Sequence, residues 1–345
     1  MGRKAYRAIT RKKAVTLSVF VLLLFASLVL DMALGPARLS LGEVLGALFW
    51  LPDTTEASRV IVWEIRLPVA FMAIVVGASL GIAGAEMQTI LNNPLASPFT
   101  LGISAAASFG AALAIVLGIG VIPFAGAFLV SANAFVFAIV ASLLIYFMSQ
   151  LRGVTVETVV LLGIALVFTF NALLALLQYI ATETALQEVV FWTLGSLTKA
   201  TWTKVGIGVG VIAVTVPYLL REVWALTALR LGDDKARSFG IDVRKLRLRV
   251  LILTSLLAAS AVAFVGTIGF VGLVGPHVAR MMVGEDQRYF LPLSAIAGAL
   301  MMSITSIISK EIIPGVIFPI GIITALVGVP FFLALVFSSR RQAWH

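Results

Sequence analysis

The chain has 345 residues, of which 61% are hydrophobic and 12% charged, with a formal net charge of +9 and no cysteine. Ordinary soluble domains carry about twice that share of charge, so little room remains for a separate water-soluble domain, and disulfides and thiolate metal sites are ruled out. The apolar runs are continuous rather than alternating, which favours spanning helices of about 20 residues over a β-barrel.

Residues 1–13 carry Arg3, Lys4, Arg7, Arg11, Lys12 and Lys13 ahead of an apolar run over 14–30. That run is long for a signal-peptide core and no clean small-x-small site follows it. It reads as a retained first span with its basic end in the cytoplasm. Ten spans are predicted, at about 14–34, 68–90, 100–118, 124–148, 155–181, 203–220, 250–265, 269–283, 290–306 and 319–337. With both termini inside, nineteen of the 25 Lys and Arg fall on the inner side. The outer six are Arg38, Arg59, Arg66, Lys199, Lys204 and Lys310. The basic excess is therefore a topology signal rather than a nucleic-acid surface. The whole chain, 1–345, reads as one membrane domain.

Two polar segments exceed turn length. The outer one, 35–67, holds a short amphipathic helix near 39–50 with Ser40 as its N-cap. The inner one, 221–249, holds eight Lys and Arg against Glu222, Asp233, Asp234 and Asp242. Within it Gly232 opens and Gly240 closes a very short helix, Asp233 is placed to cap its first turn, and Gly240 can take the left-handed conformation that ends it. An ordered basic loop of this kind is a docking surface. Small residues at four-residue spacing, Gly77/Gly81, Gly102/Ala106/Gly110 and Gly206/Gly210, read as close helix contacts.

No GxxxxGK[ST] is present, so this chain holds no nucleotide in a P-loop. Ser104 with His277 lacks an orienting acid and does not make a hydrolase. The one other histidine is His345, so a multi-histidine metal site is not available. Glu86 is the one acid well inside a span. It is a proton carrier in one reading and, in the favoured one, a polar group near the inner interface bonded by Gln88 or by amides around Asn92 and Asn93. The run 266–280, GTIGFVGLVGPHVAR, is crowded with glycine and broken by Pro276, and reads as a bent or broken helix.

Taken in order, these motifs resemble the permease subunits of ATP-binding-cassette importers for iron chelates, haem and vitamin B12, the type II importer fold. Arg66-Leu67-Pro68 resembles RLPR. Gly84 to Gln88, Asn93-Pro94-Leu95-Ala96-Ser97-Pro98 and Leu101-Gly102-Ile103-Ser104 resemble AGxxxQ…NPLAxPxxLGxS. Trp192 to Leu197 matches a further element. Leu231-Gly232-Asp233-Asp234 resembles the cytoplasmic LGDDxAxxLG loop, and 266–280 resembles GxIGFVGLVxPHxxR. Pro319-Ile320-Gly321 resembles the start of the last span.

The resemblance implies an all-α fold of about ten transmembrane helices, paired with a second permease subunit as homodimer or heterodimer. It also implies two ATPase subunits that carry ATP and Mg, a periplasmic or lipid-anchored binding protein, and no cofactor on this chain. The chain is then a permease and not an enzyme, in the cytoplasmic membrane of a prokaryote. ATPase coupling falls to Leu231, Gly232, Asp233, Asp234, Ala236, Arg237 and Gly240, and binding-protein docking to Arg66, Lys310 and Arg59. The pathway falls to Asn171, Gln178, Gly266, Gly269, Phe270, Gly272 and Pro276. Asn93, Pro94, Pro98, His277, Arg280, Pro319 and Gly321 are structural. Val69, Ser306, Lys310 and Ile317 depart from the family pattern at docking positions. Ferric siderophore is the favoured cargo, ahead of haem and vitamin B12.

Overall fold

The computed structural model describes residues 2–37, 39–122, 125–149, 156–313 and 315–342. Arg38, Arg152 and His345, and the side chains of Arg3, Lys4, Arg340 and Arg341, lie outside the described part. The helices are α1 (Gly2–Ala33), α2 (Leu41–Leu48), α3 (Glu56–Val60), α4 (Leu67–Ile90), α5 (Ile103–Leu117), α6 (Leu129–Ser149) and α7 (Val156–Ile180). They continue as α8 (Glu183–Thr193), α9 (Trp202–Leu229), α10 (Asp233–Ser238), α11 (Val243–Val265), α12 (Val271–Val283), α13 (Gln287–Glu311) and α14 (Ile320–Gln342). Among the described residues seven helices are long and apolar enough to cross a membrane, with α3 and α4 joined into one through a π-helical turn, Ile61–Arg66. Three shorter apolar helices, Ile103–Leu117, Val271–Val283 and Ile320–Leu333, complete the ten predicted spans.

α4 is the axis of the bundle. Its most apolar window is 83% buried, against 17% for α1 and α7. Glycine lets its neighbours approach. A Cβ on Gly77 would stand 2.4 Å from the Gly298 carbonyl oxygen, and one on Gly81 2.2 Å from that of Ser294, both on α13. α1 lies along the same helix, where the Ser27 and Ser303 hydroxyls meet at 2.6 Å. Helix association in lipid depends on such packing, because the tails are as apolar as the side chains. The Gly206/Gly210 pair does not serve this purpose. Nothing comes within 4 Å of a Cβ on either, and it is Gly208, between them, that meets Val75 of α4. Spacing alone could not tell which face of α9 turns inward.

The inner polar segment is shorter than predicted. α9 runs on to Leu229 and α11 starts at Val243, which leaves 230–242. The reason is periodicity: Leu219, Val223, Leu226 and Leu229, and later Val243, Leu246 and Val250, bury one face while the charges take the other. The outer helix is as predicted. Ser40 accepts from the Glu43 amide, and the Glu43 carboxylate accepts from the Ser40 amide at 2.7 Å, a reciprocal cap. The break near 266–270 is also present: α11 stops at Val265, and Gly266 and Phe270 have φ of +79° and +66° before α12 starts. Phe270 is a bulky residue in left-handed backbone, a conformation that costs of order 1–3 kcal/mol and persists only where surroundings hold it.

Candidate functional site

α10 stands at one end of the bundle as a six-residue helix on a two-point mount. Ala236 is fully buried beneath it. Asp233 receives both terminal nitrogens of Arg247 at 2.9 Å, a bidentate pair, and Arg247 Nε donates to the Ile90 carbonyl at 2.9 Å at the end of α4. Asp233 therefore does not cap α10; Gly232 occupies the N-cap without a side-chain bond. Gly240 closes the turn at φ +80°, and Asp242 caps α11 through the Lys245 amide. That amide, with the Lys245 side chain, holds the Asp242 carboxyl below the usual carboxylate range. Above this mount Leu231 and Phe239 are 57% and 65% exposed, beside exposed Asp234 and Arg237.

Behind α10 lies a polar cluster in which Gln88 and Arg280 of the motifs above meet Arg230 and Glu285, which no local motif announced. Arg230, at the end of α9, donates through Nε to Glu285 at 3.1 Å, through Nη2 to the other oxygen of the same carboxylate, and through Nη1 to Asn92 at 3.1 Å. Arg280 Nε stands 3.1 Å from Glu285, and Arg280 Nη2 donates to Gln88 Oε1 at 2.8 Å. Gln88 Nε2 then donates to the Gly272 carbonyl at 3.3 Å, in the first turn of α12. Nearby, Arg288 holds the Asp286 carboxyl below the usual range by hydrogen bonding, and Lys13 pairs with the same carboxylate at 3.7 Å.

An open groove of about 600 Å³ lies on another face of the bundle. Phe99, Thr193, Thr267, Gly269, Phe270 and Leu326 line it, with further residues of α14. Main-chain bonds knit three segments behind it: Ser196 N to Val265 O at 2.7 Å, Ile320 N to Gly195 O and Gly321 N to Leu194 O, both at 3.0 Å. Thr267 Oγ1 also donates to the Thr193 carbonyl. Gly321 is required for this closeness, since a Cβ there would stand 2.5 Å from the Leu194 oxygen. The surface is mostly apolar and carries no charged side chain. No group of three or more His, Asp or Glu that could hold a metal occurs among the described residues.

The sequence matches the FecCD transport family over residues 22–338. The chain belongs to that family. A hemin transport permease of Yersinia pestis is 33% identical over 315 residues, 91% of this chain and 94% of the relative. A molybdate import permease of Haemophilus influenzae is 33% identical, with 93% and 94% covered. A solved ABC transporter described as of metal-chelate type, in an inward-facing conformation, is similar with a TM-score of 0.82 and 30% identity, covering 94% of this chain and 99% of that one. This FecCD chain is thus a membrane-embedded ABC importer permease, not itself an enzyme.

With the family in hand, the expected site residues fall unevenly. Of the pathway residues only Gly269 and Phe270 line the groove. Gly266 packs on Trp192 and Gly195, Gly272 on Gly84 and Leu80, and Pro276 is buried. Asn171 is exposed and Gln178 half-buried on α7, both away from the groove. Of the docking residues, Arg66 and Lys310 are inside the FecCD fold and not on its surface. Arg66 donates to the Met32 and Ala33 carbonyls at 2.5 and 2.9 Å and to that of Ala37. Lys310 pairs with the fully buried Asp31 at 2.7 Å, and Ser306 donates to the same carboxylate at 3.0 Å. Ser306 and Lys310, which depart from the family pattern, are thus partners of Asp31 on α1. Arg59 is half-buried, donating to the Leu51 carbonyl at 2.9 Å over the Trp50 ring.

Of the motif residues, Arg280 belongs to the polar cluster and Gly321 to the main-chain contacts behind the groove, and the others close turns or pack. Asn93 Oδ1 caps the turn at Leu95 at 2.9 Å beside exposed Pro94, Pro98 is buried against the start of α12, His277 meets the Phe331 ring edge-on, and Pro319 immediately precedes α14. Glu86 is fully buried, and neither carboxylate oxygen has a hydrogen-bond partner, which overturns the expected bonding to Gln88 or the Asn92–Asn93 loop. Gln88 is occupied by Arg280 and Gly272 instead.

Proposed function

We propose that this permease forms the transmembrane half of an ATP-driven importer for metal chelates, with a ferric siderophore as the first candidate cargo and haem or vitamin B12 as alternatives. The cargo class follows from the metal-chelate transporter and the hemin permease among its relatives; the molybdate permease shows how far the family ranges. A second permease subunit pairs with it around a passage to which Gly269 and Phe270 contribute. A binding protein outside delivers cargo, and two ATPase subunits inside bind ATP and Mg. The membrane is the cytoplasmic membrane of a prokaryote, with both termini and α10 on the inner side, in keeping with the basic bias of that side.

The observation that carries the ATPase assignment is α10 itself. A capped, mounted helix that exposes Leu231 and Phe239 to solvent spends apolar surface for no benefit within this chain. Seated in a groove of an ATPase, it would transmit closure of that partner as rigid-body motion. Leu231, Gly232, Asp233, Asp234, Ala236, Arg237 and Gly240 supply its caps, mount and exposed face. Replacing Asp233–Ser238 with a flexible linker tests this. Loss of ATPase copurification and of uptake is expected. Retention of both removes α10 from the coupling role.

A further inference from the structure

We infer that Glu285 is a positioning residue that ties the movement of α10 to the start of α12, through Arg230 on one side and through Arg280 and Gln88 on the other. The inference rests on the reading of α10 as the ATPase seat.

The argument is one of connectivity and charge. Arg230 lies two residues before Gly232, so any displacement of α10 displaces it. Its guanidinium is held by Glu285, in the link between α12 and α13, and by Asn92 just past α4. The second mount, Arg247, also ends on α4, at the Ile90 carbonyl. The motion of α10 is therefore delivered to two places, the α4 terminus and the α12–α13 link. From the link the path runs inward. Arg280 extends back along α12, as side chains on a helix do, and meets Gln88, whose amide reaches the Gly272 carbonyl. Gly272 is two residues beyond Phe270, the strained residue that lines the groove. One chain of hydrogen bonds and ion pairs thus connects the exposed helix to the wall of the passage.

Glu285 is the critical member because it is the single anion between two arginines whose side chains are 19% and 20% exposed. Without it the two guanidinium groups face each other with no counter-charge. The joint is also not fully made. Arg280 Nε is buried and lacks a hydrogen bond although Glu285 Oε1 stands 3.1 Å away, so distance is met and direction is not. A small rotation of α12 against the link would complete that bond. Such a rotation is the second arrangement that a transmitting contact requires.

The chain has no cysteine, so one introduced thiol reports one place. Leu326→Cys, 66% exposed on the groove, is labelled with an impermeant maleimide in the assembled complex with its ATPase, nucleotide-free and trapped with ADP-vanadate. In the otherwise native background the labelling rate is expected to differ about tenfold between the two states, within the range usual for coupled sites. With Glu285→Gln added, the difference is expected to fall below about twofold, with ATPase copurification and the protection of a reporter at exposed Ser238 (Ser238→Cys) unchanged and with partial recovery in Glu285→Asp. Gln88→Leu, which cuts the same path beyond Arg280, should behave alike and decides the matter if Glu285→Gln does not assemble. A full nucleotide-dependent difference in either variant overturns the relay. Loss of ATPase binding in both overturns it too, since Glu285 then acts in docking. If instead the ATPase copurifies after Asp233–Ser238 is replaced, the α10 assignment fails and the relay that rests on it fails with it; a relay that fails alone shows as a full nucleotide-dependent difference in Glu285→Gln while the Asp233–Ser238 replacement still loses the ATPase.

Discussion

Gly84 of α4 and Gly272 of α12 pack backbone to backbone: a Cβ on Gly84 would lie 1.8 Å from the Gly272 carbonyl oxygen. The same oxygen accepts from Gln88, one turn further along α4. The first turn of α12 is thus held against α4 by a steric fit and a hydrogen bond at once. Gly84→Val must push α12 away, and overpacking of this kind costs about 1–3 kcal/mol. The variant is expected to melt at lower temperature in detergent and to lose uptake. Gly206→Ala is the control. Open space surrounds Gly206, and replacing a helical glycine with alanine contributes about 0.5–1 kcal/mol, so equal or higher stability is expected. A destabilised Gly206→Ala would mean that α9 has a neighbour on that face.

The Asp31–Lys310 pair makes a second prediction. Both side chains are buried, at 0% and 8% exposure, and Ser306 adds a third polar group. Removing one partner leaves an uncompensated charge, so Lys310→Met is expected to destabilise by about 3–5 kcal/mol. The double variant Asp31→Leu/Lys310→Met should recover most of this, because desolvation offsets the attraction within such pairs. Unfolding curves for both single variants and the double variant check it. Strict additivity would show that the two do not interact.

Much of this architecture was legible in the sequence, and the pattern of success has a physical basis. Spans, the Ser40 cap, the Gly240 terminator and the break at 266–270 are local: each depends on neighbours within a turn or two. Arg66 and Lys310 were expected at the docking surface on their charge, and the sequence shows charge but not direction. Arg66 has a free-looking position at the end of a span, yet the carbonyls of Met32 and Ala33 at the end of α1 and that of Ala37 beyond it claim its donors. Arg230 and Glu285 were missed because 55 positions separate them and no spacing rule joins them. Among the expected pathway residues, glycine carries two different signals. Gly266 and Gly272 are small because backbone must approach there, and Gly269 is the one that faces the groove.

The N-terminus of α13 supplies a pH prediction. Asp286 caps that helix and takes two nitrogens of Arg288 at 2.9 and 2.7 Å, which lowers its pKa in the folded chain. A depressed carboxyl contributes stability that is complete above its unfolded value, about 3.9, and is lost as pH falls through the folded one. Asp286→Asn should therefore be less stable than the parent at neutral pH, with the difference shrinking only below about pH 4. Melting temperatures taken from pH 7 down to 3 read this directly. A difference independent of pH would assign the effect to hydrogen-bond geometry and not to charge.

Glu86 separates an ATP-driven permease from a proton carrier. Its carboxyl is fully buried, and neither oxygen is bonded. An unsatisfied buried polar group costs about 1–3 kcal/mol, so a residue serving only structure would be better replaced. Glu86→Met, similar in length and apolar, is expected to raise stability by about that amount. If ATP drives the transport, Glu86→Gln should leave uptake of the proposed ferric siderophore cargo in proteoliposomes within about twofold of the parent, given ATP and the ATPase subunits, since no proton need pass through this position. A proton carrier behaves oppositely: Glu86→Gln stops uptake while ATP hydrolysis continues, and an imposed pH gradient then drives transport in the parent without ATP. That combination would displace α10 from the centre of the mechanism and put α4 there. Uptake that persists in Glu86→Gln and vanishes without ATP leaves the orphaned carboxyl as a cost carried inside the bundle, and agrees with the proposal that force enters through the mounted helix.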